Sequence, residues 1–143
     1  MDLEPRSRSW RGLRRYVDLV TEALGYTGQA FHVQTESPVS AYIPLDERMP
    51  TFPDRDVALL WDERHGWCGA IETASGEDLI VVAYLGTDVL PSPRKVARFA
   101  SNLVAGAGSG VTDPPGFRTA DADDDLADRL AEYAPNPELA PTR

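Results

Sequence analysis

The sequence contains little cysteine and no long apolar run. The chain of 143 residues has one cysteine and two histidines. A single cysteine excludes an internal disulfide and favours a reducing compartment, so we expect a cytoplasmic protein. The longest apolar run, residues 79–85, is far shorter than the roughly 20 residues that a membrane helix needs. The opening MDLEPRSRSW has no apolar run behind its arginines and predicts no secretory signal. We therefore expect a soluble protein without a membrane partner.

The charge of the chain is acidic and unevenly distributed. The formal net charge is −9 at pH 7. Residues 6–15 carry five arginines and no acid, whereas residues 113–143 carry eight acids and three arginines. Such asymmetry bears on association rather than on fold. Because nucleic-acid backbones are bound through many Lys and Arg contacts, an acidic chain argues against nucleic acid as a partner.

Apolar residues at helical spacing predict helices on both sides of the strands. The first helix covers about residues 10–24, with Ser9 as its N-cap and Gly25 as its C-terminal stop. Ser92 caps the second helix, because a proline follows it at the first helical position. A weak third helix is expected over residues 122–133. The apolar face of the first helix consists of Trp10, Leu13, Val17, Val20 and Leu24.

Alternating apolar residues predict five strands between the first two helices. Two short strands occupy residues 30–45, with a turn at Pro38. Three more strands form a meander over about residues 56–61, 67–73 and 79–85, joined by the turns DERHG and ASGED. A helix, an antiparallel sheet of about five strands and a second helix predict an α+β fold with the helices on one face.

The composition divides the chain into one domain and two flanking segments. We expect a single α+β domain over residues 9–105, a disordered N-terminus over 1–8, and a Gly/Pro linker with a flexible acidic tail over 106–143. The stretch GAGSG resembles a phosphate-binding loop in its glycines only, because it follows a predicted helix instead of a strand.

The densest group of reactive side chains lies in LLWDERHGWCGAIET, residues 59–73. If DERHG is a five-residue loop, Trp61 lies opposite Trp67, and Cys68 lies among apolar residues of one sheet face. Apolar surroundings raise the pKa of a thiol and leave it unreactive, so we interpret Cys68 as a buried strand cysteine. His65 and Cys68 form half of a metal pattern without its second half. We therefore expect no catalytic residue, metal or cofactor.

Two groups of residues are candidates for contact with a partner or ligand. The tryptophans are interpreted as core, with an aromatic platform at a pocket mouth as the alternative. The arginines of the first helix are interpreted as a solvated face, or as a docking site for an acidic partner or tail. The polar turn of residues 62–66 is expected to face solvent, and the contact candidates around the hairpin are Trp61, Glu63, His65, Trp67 and Tyr84. The electrostatic candidates are Arg8, Arg11, Arg14 and Arg15.

Four segments of the chain resemble a family of small actinobacterial proteins of unknown function. They are GLRRYVDLVTEALG, LLWDERHGWCGAIET, GEDLIVVAYLG and DVLPSPRKVARFASNL. The resemblance covers about residues 10–105 and implies no activity, cofactor or catalytic residue. As fold analogy, the predicted element order is similar to bacterial secretion-chaperone-like domains, which bind other proteins. Fold by itself does not establish function.

We predict a non-enzymatic protein-binding or regulatory module of the actinobacterial cytoplasm that forms a homodimer. The reason is that helices on one face of the sheet leave an apolar patch on the other. The alternative is a small-ligand-binding domain or enzyme with a pocket beside Trp61 and Trp67. A weaker alternative is nucleic-acid binding through the arginine-rich N-terminus. The residues expected in the apolar patch are Leu60, Cys68, Ala70, Val82 and Tyr84.

Overall fold

The computed structural model describes residues 1–26, 31–108 and 110–135. Five strands form one sheet in the order β1-β2-β3-β4-β5, and every neighbouring pair is antiparallel. The predicted α+β fold is therefore confirmed. The elements in chain order are α1 (Arg8–Ala23), β1 (His32–Gln34), β2 (Ser40–Pro44), β3 (Val57–Asp62), β4 (Gly66–Glu72), β5 (Leu79–Tyr84), α2 (Pro93–Ala105) and α3 (Leu126–Ala131).

Helix α1 begins earlier than its apolar pattern predicts. Ser7 is the N-cap in place of Ser9, because the Ser7 side chain accepts a hydrogen bond of 3.1 Å from the backbone N–H of Trp10. The buried residues of α1 include most of the predicted face, whereas Trp10 is only partly buried. Tyr16 is also fully buried, although the sequence pattern did not include it.

Helices α1 and α2 cover one face of the sheet. Gly69 in β4 allows α2 to approach closely, since a Cβ atom there would lie 2.2 Å from Leu103 Cδ2. Trp61 and Trp67 point to the same side and are fully buried. Trp67 contacts α1, where its Nε1 donates a hydrogen bond of 3.0 Å to the Tyr16 hydroxyl.

The register of β3 and β4 agrees with the predicted hairpin. Trp61 lies opposite Trp67, and Leu60 lies opposite Cys68. Because side chains alternate along a strand, Leu60 and Cys68 lie on the face away from the helices. A β-bulge shifts the β4–β5 register between Gly69 and Ala70, so that Val81 pairs with Ala70. Val82, which was expected on that face, instead lines a cavity with Leu103 on the helix side.

Residues 110–135 pack against the domain, which differs from the linker and tail that the composition predicted. Val111 forms an isolated antiparallel bridge with Tyr84 at the edge of β5. Helix α3 packs on α1 through Leu126 and Leu130, which are 1% and 0% exposed. Two leucines four residues apart share one helix face, and packing on α1 removes that face from water. Residues 136–143 of the predicted tail lie outside the described residues.

The N-terminal segment also packs, although residues 1–8 were expected to be disordered. Leu3 is buried in the main hydrophobic cluster. Its backbone N–H donates a hydrogen bond of 2.9 Å to the carbonyl of Thr35. The apolar side chain of Leu3 is removed from water there, which opposes the entropy cost of ordering a terminus. In the described part of the chain, no helix is long and apolar enough to cross a membrane.

Candidate functional site

Glu63 at the tip of the β3–β4 hairpin is completely buried, although the turn DERHG was expected to face solvent. Its Oε2 accepts hydrogen bonds of 2.7 Å from the Val39 backbone N–H and 3.2 Å from the N-terminal ammonium of Met1. Its Oε1 accepts a hydrogen bond from Arg118 Nη1. The carboxylate of Glu63, a candidate for contact with a partner or ligand, has no exposed surface in the structure, and its hydrogen bonds are made within the chain.

The partners of Glu63 explain how a carboxylate is tolerated in the core. A buried charge without partners costs several kcal/mol, and both oxygens of this one face a cation or an N–H group. The Arg118 side chain is itself buried and also pairs with Asp124 at 2.6 Å. Burial lowers the pKa of Arg118, but its bonds to Asp124 and Glu63 raise the pKa by more than burial lowers it. The pKa of Arg118 therefore lies above its ordinary value. We call these groups the Glu63 network.

No local pattern in the sequence predicts the Glu63 network. Arg118 is 55 residues from Glu63 along the chain and lies in a segment whose composition is typical of a linker. Side-chain pairs at helical or cross-strand spacing follow from sequence, whereas a pair at this distance depends on the path of the whole chain.

The two tryptophans belong to the core of the domain. Trp61 Nε1 donates a hydrogen bond of 2.7 Å to the carbonyl of Val89, and Trp67 Nε1 donates to Tyr16. An indole has one polar group, so both side chains are fully satisfied inside the chain. The alternative from the sequence was a pocket lined by these two rings. Both side chains are 0–1% exposed, so neither ring lines a pocket that opens to solvent.

Cys68 and His65 are the remaining reactive side chains of the hairpin. Burial, together with the charge of Asp62, raises the pKa of the Cys68 thiol to about 12, so the thiol is protonated and unreactive at neutral pH. His65 Nδ1 lies 2.8 Å from the carbonyl of Pro115, and its ring lies 6.2 Å from that of Tyr84. Among the described residues, no group of three His, Cys, Asp or Glu side chains is placed to hold a metal ion.

The surface that the hairpin does present is the sheet face opposite the helices. Tyr42, Leu60, Cys68 and Tyr84 form one row across β2 to β5, because each lies opposite the next in the observed registers. Cys68 is buried in this row, and the other three side chains are partly exposed. Val81, which is 38% exposed, continues the surface along β5. Partial burial raises the pKa values of Tyr42 and Tyr84 above the ordinary value, so both phenols are neutral at pH 7. We call these five residues the outer face.

The four candidate arginines of α1 have different surroundings. Arg8 donates a hydrogen bond of 3.2 Å to the carbonyl of Ala131, where α3 ends. Arg15 forms ion pairs within α1, at 2.9 Å with Asp18 and at 3.3 Å with Glu22. Arg11 and Arg14 line a surface groove together with Arg15.

An open groove lies along the solvent side of α1. Its volume is about 450 Å³, and it is lined by Trp10, Arg11, Arg14, Arg15, Asp18, Phe31 and Pro135. The guanidinium carbon of Arg14 lies 5.4 Å from the ring centroid of Trp10 and also 5.4 Å from that of Phe31. Within residues 1–26, 31–108 and 110–135, neither Arg11 nor Arg14 has an ion pair or a hydrogen-bond acceptor for its side chain, whereas Arg15 pairs with Asp18. We call this surface the Arg14 groove.

Comparison with known proteins finds one family. Residues 16–102 match a family described as "Family of unknown function (DUF6292)". No curated protein and no solved structure matches the chain. The matched region contains the second half of α1, all five strands and most of α2, so it includes the outer face. Residues Trp10 to Arg15 of the Arg14 groove lie before it.

Proposed function

We propose, from the premise that the chain belongs to the DUF6292 family of unknown function, that it is a non-enzymatic protein-binding module that pairs with a second copy of itself. The observation that carries the proposal is the apolar outer face, which lies on the side of the sheet away from α1 and α2. An actinobacterial origin and a cytoplasmic location are part of the proposal, and the single unpaired cysteine supports a reducing compartment.

The chemistry of the outer face favours another apolar surface as its occupant. Leu60, Val81 and the rings of Tyr42 and Tyr84 offer apolar area whose removal from water contributes about 25 cal/mol per Å². A second copy presents the same patch, and a two-fold axis brings like patches together. The neutral phenols add hydrogen-bonding groups without a charge that would have to be desolvated.

The size of the outer face predicts a weak dimer. Four strands at a spacing of about 4.8 Å span roughly 15 Å, so the patch covers on the order of a few hundred Å² per copy. A stable interface buries about 800 Å² per partner. We therefore expect an association that depends strongly on protein concentration and that a further partner can replace.

The test compares two neighbouring side chains of β5 that point to opposite sides of the strand. Val81 lies on the outer face, and Ile80, which is 52% exposed, pairs with Ile71 of the helix side. We expect Val81→Glu to weaken self-association about tenfold or more, because it places a charge in an apolar contact. The matched variant Ile80→Glu is expected to change it less than about twofold. Sedimentation equilibrium over a range of concentrations measures both.

Two results would overturn the proposed dimer. One is a wild-type protein that remains monomeric at the highest concentration reached. The other is an equal loss of association in the two variants, which would place the contact elsewhere. Circular dichroism of both variants shows whether each is folded, and native mass spectrometry gives the stoichiometry independently.

A second candidate function is the binding of a small apolar ligand. A cavity of about 360 Å³ lies between the Val82–Ala83 segment of β5 and Leu103 of α2, away from the two tryptophans. That volume lies within the range of small-molecule sites. If the cavity holds a ligand, native mass spectrometry of protein purified gently from its host shows an added mass, and Ala83→Phe, which fills the cavity, removes it. A bare wild-type mass would count against this candidate.

A further inference from the structure

We propose that the Arg14 groove binds an acidic peptide segment of a partner protein, with Arg14 as the receptor for a carboxylate. This inference does not rest on the outer face, because α1 lies on the other side of the sheet. Its arginines lie before the family match, whereas Phe31 lies within it, so the inference describes this chain and not the family.

The aromatic contacts of Arg14 prepare its guanidinium for a carboxylate. The guanidinium carbon is equally close, at 5.4 Å, to the ring centroids of Trp10 and Phe31. Contacts with two rings restrict a side chain that otherwise loses much rotamer freedom on binding. The rings attract the cation, but they do not accept hydrogen bonds from the N–H groups along the edge of the guanidinium. The forked edge therefore remains available for a bidentate carboxylate.

The charges of neighbouring groups make the groove a local site for anions. Arg15 forms ion pairs within α1 with both Asp18 and Glu22. Arg11 and Arg14 have no such partner among the residues described, so these three arginines and two carboxylates have a net charge of +1 on a chain of net charge −9. An acidic segment that approaches Arg11 and Arg14 meets this positive charge over a short distance, within which salt screens little.

The same features favour a peptide over nucleic acid. A nucleic-acid backbone is bound by many cations along a stripe, whereas the groove offers two unpaired arginines, Arg11 and Arg14, next to one that is paired with Asp18. The apolar walls at Trp10 and Phe31 fit a segment that carries apolar side chains next to its acids. A volume of about 450 Å³ accommodates a few such side chains.

The test uses the full chain and a fluorescein-labelled oligoglutamate peptide that contains one phenylalanine, followed by fluorescence anisotropy. A charged hydrogen bond contributes about 1.5–3 kcal/mol, so we expect Arg14→Gln to weaken binding about tenfold or more. Arg14→Lys keeps the charge but loses the fork, and a loss of several-fold is expected. The matched control Arg48→Gln removes an exposed arginine that pairs with Asp56 and does not line the groove, and we expect a change below about twofold.

Three outcomes would overturn the inference. The first is the absence of saturable peptide binding to the wild type. The second is an equal loss in Arg14→Gln and Arg48→Gln, which would indicate general charge attraction. The third is tighter binding of a single-stranded oligonucleotide than of the peptide, which would assign the groove to nucleic acid. Sedimentation of Arg14→Gln should show unchanged self-association, so failure here and failure of the proposed dimer are separable.

Discussion

The Glu63 network and the Arg14 groove hold charge in opposite ways. Glu63 is fully buried, and cations and an N–H group from three other parts of the chain contact its two oxygens. Arg14 is exposed, and aromatic rings contact it while no described residue accepts its hydrogen bonds. Both residues lie in segments whose sequence is typical of an exposed polar surface.

The two charges differ in role, because the paired one stabilises the fold and the unpaired one is available to bind another molecule. A charge whose partners are all internal stabilises the position of the segments that supply those partners, and removing it leaves the partners unpaired. A charge that lacks internal acceptors contributes little to stability and keeps its hydrogen-bonding capacity for another molecule. We therefore expect the loss of stability on substitution to be largest for the charge whose partners are all internal and smallest for the charge that has none.

The largest effect is expected at the buried carboxylate. Glu63→Gln leaves the N-terminal ammonium without a counter-charge and Arg118 with Asp124 alone, and we expect a loss of about 3–5 kcal/mol in the free energy of unfolding. Urea denaturation measures it. Glu22→Gln, which changes an exposed carboxylate of α1, is the control and should stay within about 0.5 kcal/mol. A loss below about 1 kcal/mol for Glu63→Gln would contradict a structural role for this carboxylate.

An intermediate effect is expected at Asp88, which pairs with Arg129 of α3 at 2.7 Å while both remain partly exposed. Partial burial raises the pKa of Asp88, but Arg129 and the N–H groups of Val89 and Leu90 lower it more, so the net pKa is below the ordinary 3.8. The pair therefore stabilises the fold fully above that value, and the contribution disappears as the pH falls through the lower folded-state pKa.

The variant Asp88→Asn tests this pH dependence. Because solvent screens a pair of this exposure, we expect the substitution to cost at most about 1 kcal/mol at neutral pH. The difference from the wild type should shrink toward zero in acid, as measured by urea denaturation at several pH values. Asp54→Asn, a change at an exposed aspartate, serves as the control. A difference that grows in acid would contradict the direction of the pKa shift.

The smallest effect on stability is expected at Arg14. Removing its guanidinium with Arg14→Gln loses two exposed cation–π contacts, which together contribute about 1 kcal/mol or less. Thermal and urea denaturation should therefore place this variant close to the wild type, even though it is expected to lose peptide binding. A destabilisation as large as that of Glu63→Gln would show that Arg14 has a structural role.

Local patterns in the sequence predicted most of the fold but little of the candidate site. The spacing of apolar residues in α1, the cap at Ser92 and the turn between Trp61 and Trp67 each depend on neighbours in sequence, and the structure has all three. Glu63 was expected in solvent because its turn is polar throughout. Its burial depends on Arg118, which no local rule connects to the hairpin.

The sequence by itself determined the order of the elements, the register of the β3–β4 hairpin and the buried position of Cys68. Side-chain alternation and helical periodicity act over a few residues, so these features can be derived from short segments. Only the tertiary structure decided that residues 110–135 pack on the domain and that Phe31 meets Arg14. Such contacts join segments far apart in the chain, and they form because the complete fold brings complementary surfaces together.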